Sequence, residues 1–230
     1  MSPRSLSRRA ALLAGAALLG GCAIGGPAGQ PTRLRAPLTY VAIGASDAVG
    51  VGVEEPERDG WVSVLQRALP RPTRLVNLGI PGIRLGGALA VELPPAIEAR
   101  PDLVTVWLAV NDLLGGVALE AYRADLDRLL GRLRDETGAV VALGNVPDAP
   151  ETRRYLGMEA AERRRVAAAW NETIAAAAER HGAILVDLFA RWPSARHPEY
   201  IGLDGLHPTA LGYRALAETF LSALRERRVV

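Results

Sequence analysis

From Leu38 onward, short apolar runs alternate with stretches of helical periodicity, and a chain patterned this way has few folds open to it. Strands are expected at Thr39–Ile43, Arg74–Asn77, Leu103–Val110, Ala139–Leu143 and Ala183–Val186. Helices are expected near Gly60–Leu69, between Leu85 and Ala99, and over Leu119–Glu136, Glu159–Arg180 and Thr209–Arg227, with Pro208 suited to the first turn of the last one. Thr137-Gly138 and His181-Gly182 supply the stops. Leu103–Val110 is nearly continuous in β-branched and apolar residues, which reads as a central strand covered on both faces. Alternation of this kind argues for one parallel sheet with helices on both sides, an α/β fold of three layers, α/β/α. The chain shows neither an internal repeat nor a second domain.

The segment before Leu38 reads as an address. Residues 1–21 have a basic start ending at Arg8-Arg9, an apolar run from Ala10 to Leu19 and a small-residue end at Gly20-Gly21, the three parts of an export signal. The apolar run is too short to span a bilayer, which takes about 20 residues. Leu19-Gly20-Gly21-Cys22 resembles the lipobox of bacterial lipoproteins, and Cys22, the sole cysteine, is the expected lipidation site. Ser7-Arg8-Arg9-Ala10-Ala11-Leu12 also resembles a twin-arginine signal, so either the general secretory or the twin-arginine route fits. Residues 22–37 then form a Gly-, Pro- and Ala-rich tether, and residues 38–230 the folded domain. The expected location is extracytoplasmic, at a bacterial membrane, through a lipid anchor on Cys22.

Composition narrows the function classes. A single cysteine excludes an intramolecular disulfide and a cysteine metal cluster. All 27 basic residues are Arg; three precede Cys22, leaving 24 against 25 acidic residues, a net of −1. That balance gives no reason to expect nucleic acid as a partner. Gly44 to Gly52 lacks the Lys-Ser/Thr ending of a phosphate loop and the dinucleotide glycine pattern. The spacing of the three histidines matches no zinc motif.

In an open parallel sheet, ligands bind beyond the carboxyl ends of the strands. The unusual polar residues of this chain fall there: Gly44-Ala45-Ser46-Asp47 after the first strand, Asn77-Leu-Gly79-Ile-Pro-Gly82 after the second, Asn111-Asp112 after the third, and Asp204-Gly-Leu-His207 past the fifth. Together they can perform acyl transfer. A serine hydroxyl needs a base to become a nucleophile, and His207 carries the side-chain type suited to take that proton. Asp204, three residues earlier, can hold the imidazole in its working tautomer. Negative charge on an attacked carbonyl needs fixed donors, and the backbone N–H groups of Ser46 and Gly82 with the Asn111 side-chain amide are the candidates for this oxyanion hole. Taken singly, each motif has a plain reading: Ser46 as a turn residue, Asn77 and Gly79 as turn formers, Asn111 or Asp204 as loop caps. Asp112 reads as a structural partner of nearby N–H groups and Asp187 as a cap. His181 reads as a solvated residue at a helix end, and His197, in the Pro-rich loop Trp192–Tyr200, as the weaker candidate for the border of the site.

Ser46, Gly82, Asn111 and His207 resemble, in order and context, the four residues that name the SGNH hydrolases, the GDSL-like lipases and acylhydrolases, and Asp204-x-x-His207 resembles their last block. The run Asp204-Gly-Leu-His-Pro-Thr-Ala-Leu-Gly-Tyr213 is the most specific piece. The resemblance implies a flavodoxin-like strand order 2-1-3-4-5, no metal or other cofactor, and hydrolysis of a small-molecule, lipid or glycan ester through an acyl-enzyme on Ser46. Two departures stand out. The usual Gly-Asp-Ser is Gly44-Ala45-Ser46, with an aspartate after the serine, and the usual Gly-x-Asn-Asp is Ala109-Val110-Asn111-Asp112. An acyltransferase, a carbohydrate deacetylase, a thioesterase or lysophospholipase, and a non-catalytic binding lipoprotein remain open on the same residues. The loops expected to choose the substrate are Val49–Asp59, Val146–Met158 and Arg191–Leu203.

Overall fold

A computed structural model describes residues 33–148, 157–192 and 196–230. The export signal, Cys22 and most of the tether lie outside the described residues, as do parts of two of the three loops expected to choose the substrate. Five strands, β1 (Leu38–Gly44), β2 (Thr73–Asn77), β3 (Leu103–Trp107), β4 (Val140–Gly144) and β5 (Ile184–Val186), form one parallel sheet in the order β2-β1-β3-β4-β5.

Period-two alternation assigns the side chains of the inner strands to two separate cores. Tyr40 and Ala42 of β1, Leu103 and Trp107 of β3 and Ala142 of β4 face one way, onto α2 (Trp61–Ala68) and the C-terminal α9 (Ala210–Glu226). Val41 and Ile43, Val104 and Val106, and Val141 and Leu143 face the other way. There they meet α3 (Leu85–Val91), α4 (Leu93–Glu98), α6 (Leu119–Glu136) and α7 (Ala160–His181). Burial on both faces is why β1 and β3 read as continuous apolar runs, whereas the edge strand β2 is half-buried. Trp61 stacks on Phe220 with ring centroids 4.5 Å apart, so α2 and α9 are joined through aromatic contact under the site.

Four elements are single turns, α1 (Pro56–Asp59), α5 (Val110–Leu114), α8 (Leu188–Arg191) and a 3-10 turn at Pro198–Tyr200, and β5 has only three residues. The third strand is shorter than the sequence suggests. It stops at Trp107, and Ala109, with φ −150° and ψ −38°, turns the chain into α5. Pro208 lies one position before the N-cap of α9, outside its first turn, because Thr209 takes the cap and accepts the Gly212 N–H at 3.2 Å. At the end of α7, Gly182 adopts φ +70°, where an L residue is strained.

The chain passes from β1 outward to β2 and then back across to β3. The switch point of the sheet therefore lies between β1 and β3, with the loop carrying Ser46 on one side and α5, carrying Asn111, on the other.

Candidate active site

Ser46 sits in a tight turn directly after β1. The turn is closed by hydrogen bonds from Ala48 N–H to Ala45 O at 3.1 Å and from Val51 N–H to Ser46 O at 3.0 Å. Asn77, at the end of β2, clamps it by donating to Ala48 O at 2.6 Å while accepting the Gly79 N–H at 3.2 Å. This is the turn-forming role its sequence suggests. Gly44 is required just before the turn, since a Cβ there would come within 2.8 Å of the Ala48 Cβ.

His207 arrives from the far end of the chain. Its loop folds back on itself through Gly202 N–H to His207 O at 2.8 Å and an antiparallel bridge between Ile201 and Pro208. Asp204 organises the tip: Oδ1 accepts the Leu206 and His207 N–H groups at 2.9 and 3.0 Å, and Oδ2 stands 2.6 Å from His207 Nδ1. Partial burial pushes the Asp204 carboxyl up, but these N–H groups and the imidazole outweigh it and leave it below the ordinary value. The opposite ring nitrogen, Nε2, lies 2.9 Å from Ser46 Oγ, across 161 positions of sequence. With Nδ1–H donating to the carboxylate, Nε2 is left to accept the serine O–H.

Gly52, with φ +104°, packs against the backbone that carries this ring: an added Cβ would lie 2.8 Å from Pro208 O and 3.1 Å from His207 Cβ. Gly52→Ala should therefore displace the His207 loop, lowering activity at least tenfold with a smaller loss of thermal stability. Unchanged kinetics in a folded Gly52→Ala protein would show that the contact carries no positional constraint.

Gly82 has φ +77°, and nothing lies within 4 Å of where a Cβ would be, so its backbone faces open space. Among the described residues, neither the Ser46 N–H nor the Gly82 N–H has an acceptor. Asn111 donates one amide N–H to Ile83 O at 2.9 Å, which fixes the side chain and leaves a second N–H to give. A recess of about 20 Å³, room for a single water-sized group, is lined by Ser46, Asn111, Ala45, Trp107 and Leu206 among others. A far larger groove of about 900 Å³ lies between α1, α2 and β2. It touches the serine loop only at Ala48 and Val49 and holds none of Ser46, Asn111 or His207.

The remaining residues singled out from sequence divide clearly. Asp112 accepts the Leu85 N–H at 3.0 Å and is buried, a structural partner as expected. Asp187 caps α8 by accepting the Ala190 N–H. His197 stacks on Tyr200 and pairs with Glu199 rather than with any of the residues around Ser46. His181 departs from expectation. Its side chain is only 9% exposed, with Nε2 3.0 Å from Asp127 and Nδ1 3.2 Å from Arg134, so α6 covers a ring that sequence alone leaves in solvent.

Two acids lie near the site, one of which, Glu92, is not singled out from the sequence. Asp47, directly after the nucleophile, is pushed up to about 6 by burial, opposed by the His207 ring. Glu92, between α3 and α4, is fully buried and pushed up to about 8 by burial, opposed by the N–H groups of Gly44 and Ile80. Among the described residues, no cluster of three or more His, Cys, Asp or Glu is arranged to hold a metal ion.

A model of the GDSL-like Lipase/Acylhydrolase family matches residues 42–215. The chain is 27% identical over 167 residues to an arylesterase of Vibrio mimicus, spanning 70% of this chain and 76% of that one. Among solved structures it is similar to TesA, with a TM-score of 0.68 and 27% identity over 82% of this chain and 99% of that one. In fold it is also similar to Axe2, an acetylxylan esterase from Geobacillus stearothermophilus, with a TM-score of 0.67 and 21% identity over 85% and 96% of the two chains.

Proposed function

Because the chain belongs to the GDSL-like lipase/acylhydrolase family and is a carboxylic ester hydrolase, we propose that it cleaves its ester in two steps through an acyl-enzyme on Ser46. The observation that carries this reading is the continuous line from Asp204 Oδ2 through His207 to Ser46 Oγ, with links of 2.6 and 2.9 Å. His207 Nε2 takes the hydroxyl proton as Oγ bonds to the acyl carbon. The carbonyl oxygen gains negative charge and is met by the Ser46 and Gly82 N–H groups and the Asn111 amide. Collapse breaks the bond to the alcohol, which leaves with the proton from His207. Water then repeats the sequence and frees the acid. Asp204 holds the ring and stabilises its charged form.

The test is reaction of the purified protein with a fluorophosphonate probe, alongside Ser46→Ala and His207→Ala. An activated serine labels in the wild type and in neither variant. A folded wild type that does not label would overturn the acyl-enzyme and favour a binding role on the same fold. Hydrolysis of short acyl esters and of acetylated sugars, compared on the labelling protein, then separates a general esterase from a carbohydrate deacetylase.

A further inference from the structure

We propose that Glu92 is a positioning residue for this reaction: its buried carboxyl ties the end of the nucleophile strand to the loop that carries Gly82, and so fixes the spacing of the oxyanion-hole donors. The inference rests on the Ser46 reading and deepens it. Glu92 is 0% exposed, at the junction of α3 and α4, where its Oε2 accepts the Gly44 N–H at 3.2 Å. Gly44 stands two residues before Ser46. The carbonyl of the same residue faces the other loop, since Gly44 O accepts the Ile80 N–H at 3.1 Å, and Ile80 stands two residues before Gly82. Ile80 O in turn accepts the Ile83 N–H at 3.1 Å, closing the turn that contains Gly82. The Ile80 N–H, whose hydrogen bond goes to Gly44 O, also favours the charged form of Glu92, so the acid holds the residue to which the Gly82 loop is bonded. Its second oxygen, Oε1, has no hydrogen-bond partner among the described residues.

A buried acid with so few donors is tolerable only while neutral. The charged and titratable groups on the surrounding elements do not alter this. Tyr40 of β1 faces the opposite core and meets Thr105. Asp47 lies beside His207, and Arg84 and Glu98 are exposed. Asp112 of α5 accepts the Leu85 N–H, and Asp125 of α6 pairs with Arg128. Burial and the two N–H groups govern Glu92, which holds its proton up to about pH 8. Above that, a charge appears under the join between the two loops, and turnover should fall while substrate binding changes little.

The test is kcat and KM for p-nitrophenyl acetate from about pH 6 to about pH 10, on the wild type, Glu92→Gln and Glu92→Leu. The wild type should lose activity on an alkaline limb near pH 8. Glu92→Gln, a neutral isostere that still accepts from Gly44, should keep kcat within about threefold at neutral pH and lose that limb. Glu92→Leu, with no acceptor, should lose about tenfold to 100-fold in kcat with KM within about twofold, less than outright loss of an oxyanion donor. Thermal unfolding supplies a second reading. Glu92 holds its proton in the fold beyond its ordinary value of 4.5, so the stability it contributes is present below about pH 4.5 and lost as pH rises towards about 8. That decline should shrink in Glu92→Gln. A wild type with no alkaline limb, or a Glu92→Gln variant that keeps it, overturns the role of Glu92 even if Glu92→Leu fails to fold. Fluorophosphonate labelling tells the two failures apart: a labelled wild type with unaltered profiles removes only Glu92, whereas an unlabelled one removes the Ser46 reading and this inference with it.

Discussion

Ser46→Ala is expected to lower kcat for ester hydrolysis by several powers of ten, on the order of 10⁴ or more, while leaving the fold and substrate affinity near wild type. The side chain is half-buried and, among the described residues, its oxygen hydrogen-bonds to the imidazole alone, so removing it opens no core cavity and strands no other polar group there. The loss should appear in turnover and not in the melting temperature. His207→Ala is expected to cost a similar factor, and the double variant little more than either single one, because serine and base act as a unit. Asp204→Ala is expected to cost less. Its side chain is 47% exposed, so water can take over part of its hydrogen bonding to Nδ1, whereas the His207 side chain, at 17%, has no such substitute for its role as base. Initial rates on a short acyl ester, with circular dichroism to verify folding, test this order. A Ser46→Ala protein that turns over normally would end the acyl-enzyme account, and additive losses in the double variant would show that the pair does not work as one.

The fold and the site were legible in the sequence to different depths. The five strands and long helices were readable because each rests on local periodicity, and every long helix begins or ends within one residue or so of its expected place. What escaped were single turns such as α5, whose existence depends on the bend at Ala109 and whose apolar sequence runs on from β3 without a break. Ser46, Asp204 and His207 could be grouped from their chemistry, their places after β1 and past β5 and the family resemblance, and in the fold His207 lies 2.9 Å from Ser46 and 2.6 Å from Asp204. His181 was misread because Asp127 and Arg134 reach it from α6, some fifty positions earlier, a long-range contact with no local trace. Glu92 was missed although its signal was present. Leu85, Ala88 and Ala96 form the buried stripe of Leu85-Gly-Gly-Ala-Leu-Ala-Val-Glu-Leu-Pro-Pro-Ala96, and Glu92 falls on it at helical spacing. An acid on an apolar stripe is the sequence mark of a buried polar role, and Asp112, seen as structural, is the same phenomenon under the next loop.

Asn111→Ala is the sharper test of the oxyanion hole, because it removes a side-chain donor without touching nucleophile or base. The amide is held by its bond to Ile83 O, so its second N–H is oriented before substrate arrives and costs no reorganisation during reaction. Its removal should lower kcat by roughly 10²–10³ with KM little changed, the signature of an interaction made only in the transition state. Losing the Ile83 bond should also cost about 1 kcal/mol of stability, since that carbonyl is left without its partner. The two effects separate by measurement. Thermal unfolding reports the second, and fluorophosphonate labelling, which also builds negative charge on an oxygen beside Ser46, should slow in step with kcat. If labelling slows while kcat is unchanged, Asn111 serves the probe and not the ester. If neither changes in a folded variant, the charge must be met by the Ser46 and Gly82 N–H groups alone, and the Asn111 amide is a loop tie of the kind that Asn77 provides on the other side of the nucleophile.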